Sequence, residues 1–357
     1  MITPSSISAF AQIPYSQPAT RTSSDVAVGR VPLTLACGDY DRTWALRTGS
    51  VQIPGVALTY LPLKVEETFF RMVSYREFDV AELSLSTYLL TLSQETPPFV
   101  AIPVFPSRMF RHSGIYINTQ SGISSPSDLS GKVVGVPEYQ VTAAVWIRGI
   151  LEEHYGVPVD SVRYRTGGLH ETGRVEKFPL RPGTTTEIRP IGPEETLSQL
   201  LVDGEIDALY SPRTPQPFVD NHPNIARLFP DSGAQEADYF RSTGIFPIMH
   251  VVVIRREVYE ANRWIARSLQ NAFEESKRVA AADIDQTVAL GFMLPWLHDE
   301  VARTRSIMGS NWWPYGVGEN STTLSTFLRY SFAQGLADRL WEPEQIFAPE
   351  CLNEVRI

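Results

Sequence analysis

Short apolar segments alternate with amphipathic ones along this sequence, and no other feature constrains the fold as strongly. Residues 31–36, 56–61 and 78–83 have the apolar, β-branched composition of strands. Between the second and third of them, residues 65–75 space their apolar side chains close to every 3.6 positions, which is typical of a helix packed on one face. Strands that alternate with helices predict a mostly parallel α/β sheet flanked by helices.

A second series of elements starts after residue 113. A strand over 133–136, a helix over 142–154 and a strand over 206–210 repeat the alternation, and residues 246–254 form a long apolar strand. We therefore predict a two-lobed α/β architecture of the type 2 periplasmic-binding-protein kind, with a cleft between the lobes. The predicted domains are a flexible N-terminal arm (1–30), a discontinuous lobe 1 (31–117 and 246–357) and an inserted lobe 2 (118–245).

Charge and cysteine content exclude several classes of protein. The 357 residues carry a formal net charge of −9, which argues against a nucleic-acid partner and means that an anionic ligand needs a locally basic pocket. Apolar runs fall short of the roughly 20 residues that span a bilayer, and residues 1–30 lack a secretory pattern. Cys37 and Cys351 stand too far apart in sequence to suggest a disulfide framework or a zinc site, so we expect no metal and a cytoplasmic protein.

The strongest basic cluster is the segment SRMFRHS at 107–113, just before a strand predicted to connect the lobes. Arg108 and Arg111 offer guanidinium groups, which bind carboxylates bidentately, and His112 offers an imidazole that exchanges protons near neutral pH. The alternative interpretation is a solvated basic turn.

Four further polar residues lie where predicted strands end, which is where ligands bind in open α/β sheets. Glu82 and Glu138 could act as general bases or hold a ligand hydroxyl, or could simply complement a helix dipole. Arg213 is held between two prolines, and Arg42 has the same topological position in lobe 1 unless it only pairs with Asp39 or Asp41.

Two other features complete the set of candidates. His250 lies within an apolar strand, either as a core histidine or on the floor of the cleft. The motif NWWPY at 311–315 places Trp312, Trp313 and Tyr315 in a glycine-bounded loop, where one ring could face a ligand ring.

Several motifs together resemble the 4,5-dihydroxyphthalate decarboxylase family, over about residues 33–349. They are FRHSGIYIN (110–118), GVPEYQ (135–140), AAVWIRG (143–149), DALYSPR (207–213), TGIFPIMH (243–250) and NWWPYG (311–316). The resemblance implies a type 2 binding-protein-like fold. It also implies an enzyme of aromatic-compound catabolism that removes carbon dioxide from a hydroxylated aromatic dicarboxylate without an organic cofactor.

The chemistry of such a reaction suggests roles for the candidates. Protonation of the ring carbon that bears the leaving carboxylate needs an acid, for which we predict His112, with His250 as its substitute. Glu82 or Glu138 would be the hydroxyl partner; Arg42, Arg108, Arg111 and Arg213 would bind the carboxylates; and Trp312, Trp313 and Tyr315 would form an aromatic wall. We also expect a homo-oligomer. The alternative function is a solute-binding receptor that holds a small aromatic or anionic ligand in the same cleft.

Overall fold

The chain folds into two β-sheets, each flanked by helices. We call each sheet with its helices a lobe. The computed structural model describes residues 29–180 and 186–352. The predicted N-terminal arm therefore lies outside the described residues, except for residues 29 and 30. In the described residues no helix is both long enough and apolar enough to cross a bilayer.

The strands within these ranges are Val31–Cys37 (β1), Val56–Pro62 (β2), Val80–Ser84 (β3), Phe99–Ile102 (β4), Ile115–Asn118 (β5), Val133–Val136 (β6), Arg163–Thr166 (β7), Ile188–Pro190 (β8), Ala208–Tyr210 (β9), Ile225–Arg227 (β10) and His250–Arg255 (β11). The α-helices are Asp41–Thr48 (α1), Val65–Tyr75 (α2), Leu85–Leu92 (α3), Thr142–Tyr155 (α4), Leu197–Asp203 (α5), Gln216–Val219 (α6), Ser232–Thr243 (α7), Arg256–Ala261 (α8), Trp264–Ile284 (α9), Leu297–Met308 (α10) and Ser321–Ala333 (α11).

The first sheet has the order β2-β1-β3-β11-β4, and the second has the order β10-β5-β9-β6-β7-β8. In the first, β1 is parallel to β2 and β3, whereas β11 is antiparallel to β3 and β4. In the second, β6 is parallel to β7 and β9, and β5 is antiparallel to β9 and β10. The α/β class with two mostly parallel sheets is confirmed.

The centre of the first sheet is apolar because β3 and β11 are covered on both faces. Every residue of β3 is buried, and so are Val251–Ile254 of β11. Buried strands of this kind contain near-continuous runs of Val, Ile and Leu. A carboxylate in β3, at Glu82, is therefore an exception that needs local hydrogen-bonding partners.

Two of the connections between the lobes lie side by side. An antiparallel bridge links Arg108 to Ile248, the Met109 amide donates to the Pro247 carbonyl (3.1 Å), and the Met249 amide donates to the Ser107 carbonyl (2.8 Å). Since β5 belongs to the second sheet, the expected boundary at 117/118 falls inside that strand.

The C-terminal helices return to the second lobe instead of staying on the first. α10 contacts α7, and α11 packs against α4. Two buried contacts define the second packing: the Arg148 Nε donates to Gln334 Oε1 (2.8 Å), and the rings of Trp146 and Phe327 lie 5.3 Å apart. The chain after residue 246 thus contributes to both lobes.

Candidate active site

A cavity of about 290 Å³ lies between the two sheets, at the end where β1, β3 and β6 finish. Lobe 1 contributes Phe69, Ser84 and His250 to its lining, while lobe 2 contributes Glu138 and Ser211. The position agrees with the general rule that ligands of open α/β sheets bind beyond the carboxyl ends of the strands.

His250 and Glu82 form a hydrogen-bonded pair at the floor of this cavity. His250 is the first residue of β11 and faces Ser84 across the ladder, so its ring emerges at the end of the sheet. Its Nδ1 lies 2.6 Å from Glu82 Oε1, and the Phe69 ring meets the imidazole edge-on with centroids 4.9 Å apart. Because Nδ1 is engaged with the carboxylate, Nε2 is the nitrogen left for a ligand in the cavity.

Glu82 has no exposed side-chain surface and depends on its neighbours for stability. The Gly38 amide donates to Oε2 (2.9 Å) and the Tyr40 hydroxyl donates to Oε1 (2.9 Å). Burial by itself would raise the pKa of this carboxyl, but the charge and hydrogen bond of His250, helped by Gly38 and Tyr40, hold it below its usual value.

Arg111 places a buried cation at the cavity wall. In the described part of the chain its guanidinium has only sulfur partners, because Nε donates to Met249 Sδ (3.1 Å) and Nη1 to Met109 Sδ (3.6 Å). Burial lowers the pKa of Arg111 to about 10, which still leaves it charged at neutral pH. Thioether sulfur is a weak acceptor, so this guanidinium retains donors for an anion.

The N-terminus of α4 reaches the cavity close to the first lobe. Val141, Thr142 and Ala143 line the cavity, and no side chain caps the helix. Thr142 Oγ1 lies 2.8 Å from Ser84 Oγ and accepts from the Ser86 amide (3.1 Å), which ties this end of α4 to lobe 1. Uncapped amides at a helix N-terminus favour an anion, which adds to the effect of Arg111.

Glu138 lies in the wall formed by lobe 2 and is almost completely buried. Arg174 Nη2 (2.7 Å), Arg174 Nε (2.9 Å) and Lys177 Nζ (2.5 Å) all donate to its Oε1. Oε2 therefore has no donor among the described residues. This carboxylate keeps an acceptor oxygen for a ligand hydroxyl, beside two cations that would stabilise a phenolate.

Ion pairs cross the mouth of the cavity from one lobe to the other. Glu66 of α2 accepts from Arg213 Nη2 (2.6 Å) and from Arg174 Nη1 (3.3 Å). Arg213 is about half exposed, whereas Arg174 reaches inward to Glu138. The same residues border an outer depression of about 530 Å³, so these pairs lie between that depression and the inner cavity.

Of the predicted residues, the structure brings Glu138, Arg111, Arg213 and His250 to the cavity, with Glu82 directly behind His250. His112 is instead buried among the rings of Tyr155, Phe229 and Tyr239, and neither ring nitrogen has a hydrogen-bond partner in the described part of the chain. Burial lowers the pKa of His112 to about 4. Neither its position nor its neutral state suits the predicted acid.

Arg108 also differs from its expected place at the ligand. It is buried and donates to the Phe246 carbonyl (3.1 Å), the Pro314 carbonyl (2.6 Å) and Asn320 Oδ1. This guanidinium therefore joins a lobe connection to the C-terminal segment. It does not line the cavity between the sheets.

The expected aromatic wall and Arg42 lie elsewhere in lobe 1. Arg42 pairs with Asp41 (3.0 Å), as the alternative interpretation held, and stacks between the rings of Tyr40 and Trp313. Tyr315 is buried against Phe105, and Trp312 lines a separate surface pocket under Arg305. Phe69, Leu169 and Met249 supply the apolar wall of the cavity instead.

Sequence comparison with individual known proteins identifies the family of the chain. No protein-family model matches it. The chain is 40% identical over 332 residues to a 4,5-dihydroxyphthalate decarboxylase of Comamonas testosteroni, which covers 92% of this chain and 100% of that protein. This chain belongs to the 4,5-dihydroxyphthalate decarboxylase family. A Pseudomonas putida protein of the same name is 42% identical over 217 residues, which are 61% of this chain and 84% of that one.

Solved structures agree with the fold described above. A putative periplasmic sulfonate-binding protein from Methylobacillus flagellatus aligns with a TM-score of 0.54 at 14% identity, over 90% of this chain and 93% of that one. The periplasmic aliphatic sulphonate binding protein of Escherichia coli aligns with a TM-score of 0.51 at 10% identity, over 90% and 98%. The predicted binding-protein-like fold and the predicted family are both confirmed.

Three charged residues of this decarboxylase-family site were not among the predicted ones: Glu66, Arg174 and Lys177. Arg174 and Lys177 follow β7, whose sequence RYRT is too polar to be recognised as a strand. Glu66 belongs to a correctly predicted helix, but nothing in the sequence shows that this helix meets lobe 2. Within the described residues no group of three or more His, Cys, Asp and Glu side chains could hold a metal ion.

Proposed function

We propose that this chain removes carbon dioxide from 4,5-dihydroxyphthalate, or a closely related hydroxylated aromatic dicarboxylate, as an enzyme of phthalate degradation. The observation that carries the proposal is the His250–Glu82 pair facing a small cavity in a chain 40% identical to a decarboxylase of that substrate. The cavity matches a dianion, since Arg111, Arg174, Lys177 and Arg213 outnumber Glu66 and Glu138 to give a net formal charge of +2.

The proposed orientation places the ring on Phe69, with the carboxylate edge toward His250 and Arg111. The hydroxyl edge then points to Glu138. In this substrate each carboxylate has a hydroxyl para to it, so loss of the hydroxyl proton to Glu138 Oε2 pushes electron density onto the carbon that bears the leaving carboxylate. Arg174 and Lys177 stabilise the phenolate oxygen because both lie against Glu138.

His250 then donates its Nε2 proton to that carbon. The ring loses aromaticity, the bond to the carboxylate breaks, and its electron pair returns to the ring as carbon dioxide leaves. Glu82 supports this step by stabilising the imidazolium form of His250 before the transfer. Arg111 and the α4 amides hold the carboxylate that remains, and the product is 3,4-dihydroxybenzoate.

The test is release of carbon dioxide from 4,5-dihydroxyphthalate by the purified protein, compared between two histidine variants. We expect His250→Gln to lower kcat by about 10²–10⁴, the usual contribution of a general acid, with a small change in KM. His112→Leu removes the other candidate acid and should retain kcat. Full turnover in His250→Gln would refute the assignment, and ligand binding without turnover in the unaltered protein would favour the receptor alternative.

We also propose a cytoplasmic homo-oligomer. Cys37 and Cys351 are free and buried, which suits a reducing compartment. The segment 288–296 exposes Val288, Met293 and Trp296, and such apolar surface favours association of copies. Light scattering on the protein and on Trp296→Asp tests this proposal: a smaller mass in the variant supports it, and a monomeric unaltered protein refutes it.

A further inference from the structure

Tyr40 touches the acid–base pair without lining the cavity. Its hydroxyl lies 2.9 Å from Glu82 Oε1 and 3.2 Å from Oε2, and Tyr40 is not among the residues that line the cavity. Tyr40 is therefore a second donor to the oxygen that also receives His250 Nδ1. The position of this hydroxyl therefore affects how strongly the Glu82 carboxylate interacts with the imidazole.

The β1–α1 turn is built for this contact. The Tyr40 ring folds back over Gly38, where a Cβ would overlap the ring. The same glycine donates its amide to Glu82 Oε2. Glycine at position 38 thus lets one short turn supply two donors to a single buried carboxylate.

Arg42 lies over the Tyr40 ring and also over the ring of Trp313. The Arg42 guanidinium carbon lies 4.2 Å from the centroid of the Tyr40 ring and 4.3 Å from that of Trp313. Arg42 Nε donates to the Pro106 carbonyl (2.6 Å), and Trp313 Nε1 donates to the Phe105 carbonyl (2.9 Å). The stack is therefore anchored on the first connection between the lobes.

We propose that Tyr40 is a positioning residue for the His250–Glu82 pair, and that the Arg42–Trp313 stack holds it in place. The inference rests on the proposed function, because it takes His250 as the acid. It gives Arg42 and Trp313 a role in turnover although neither lines the cavity.

We expect Tyr40→Phe to change the proton affinity of the His250–Glu82 pair as well as kcat. With one donor fewer, the Glu82 charge acts more fully on His250, so the imidazolium keeps its proton to higher pH. The charged and titratable groups around the pair are Cys37, Tyr60, Arg42, Arg111, Glu138, Arg174, Lys177, Arg213 and Glu66. Tyr40→Phe leaves all of these in place.

The experiment is the pH profile of kcat and KM for three variants. For Tyr40→Phe we expect kcat to fall about tenfold, KM to stay unchanged, and the basic limb of the kcat profile to move up by about half a pH unit. Trp313→Leu should move the limb in the same direction with a smaller rate loss, and the matched control Trp312→Leu should match the unaltered enzyme. Arg42→Lys, which keeps both rings and the positive charge but loses the planar guanidinium, replaces Trp313→Leu if that protein does not fold.

The outcomes separate this inference from the proposed function. A uniform loss of rate with no movement of the limb in Tyr40→Phe would show a merely structural role and overturn the inference. So would a downward shift of the limb, or a Trp312→Leu profile equal to that of Trp313→Leu. Full activity in His250→Gln would instead overturn the proposed acid.

Discussion

At the scale of single residues, two arginines three positions apart have different surroundings. Arg111 has sulfur partners and faces the cavity, whereas Arg108 donates to carbonyl oxygens on the C-terminal segment. We expect Arg111→Gln to raise KM by about 10–100-fold, the effect of losing a charged hydrogen bond, with normal stability. Arg108→Gln should keep KM and lose about 1–3 kcal/mol of unfolding free energy. Steady-state kinetics and urea unfolding check both; equal KM values for the two variants would contradict the distinction.

His112 should make the protein sensitive to acid. Burial lowers its pKa from 6.5 to about 4, so between these values the unfolded chain binds a proton that the folded chain does not. Above pH 6.5 this difference costs no stability. As the pH drops to about 4, it lowers the free energy of unfolding by about 3 kcal/mol. His112→Leu should lose less stability than the unaltered protein between pH 7.5 and 4.5 in urea unfolding. Parallel losses in the two proteins would refute this.

At the scale of elements, hydrophobic periodicity predicted most strands and helices, including the exact span of α2. It missed β7 because Arg163 and Arg165 interrupt the apolar pattern, and with β7 it missed the cationic loop of Arg174 and Lys177. Local sequence placed His112 near a connection but could not show that aromatic side chains from distant segments surround it. Which polar residues converge depends on tertiary packing, and that information is absent from local patterns.

The packing of α11 on α4 depends on a glycine in the middle of α4. A Cβ at Gly149 would overlap the Tyr330 ring, so Gly149→Ala forces the helices apart. We expect a loss of about 1–3 kcal/mol, as for overpacked cores, in spite of the better helix propensity of alanine. Gly233→Ala in α7 is the matched control, because its Cβ would meet only ordinary contacts and should stabilise slightly. Thermal unfolding that ranks the two variants in the opposite order would disprove the close contact.

At the scale of the whole molecule, the lobes meet on both sides of the cavity. Thr142 bonds to Ser84 beside the connections, and Glu66 pairs with Arg174 and Arg213 at the mouth. Opening of either set would widen the route by which a ligand leaves the cavity. The partly exposed ion pairs at the mouth are the weaker set, since such pairs are worth about 0–1 kcal/mol each.

Glu66→Gln should therefore speed both entry and release of 3,4-dihydroxybenzoate, each by roughly fivefold, since it weakens both interlobe pairs. Stopped-flow binding gives the two rate constants. Glu67→Gln is the control, because Glu67 pairs with Arg71 on its own helix (2.7 Å) and should change neither rate. The direction in which the release rate changes decides between two interpretations of Glu66. If Glu66 only repelled anions, its loss would quicken entry and slow release, whereas an interlobe contact that must open for passage makes both processes faster when it is removed.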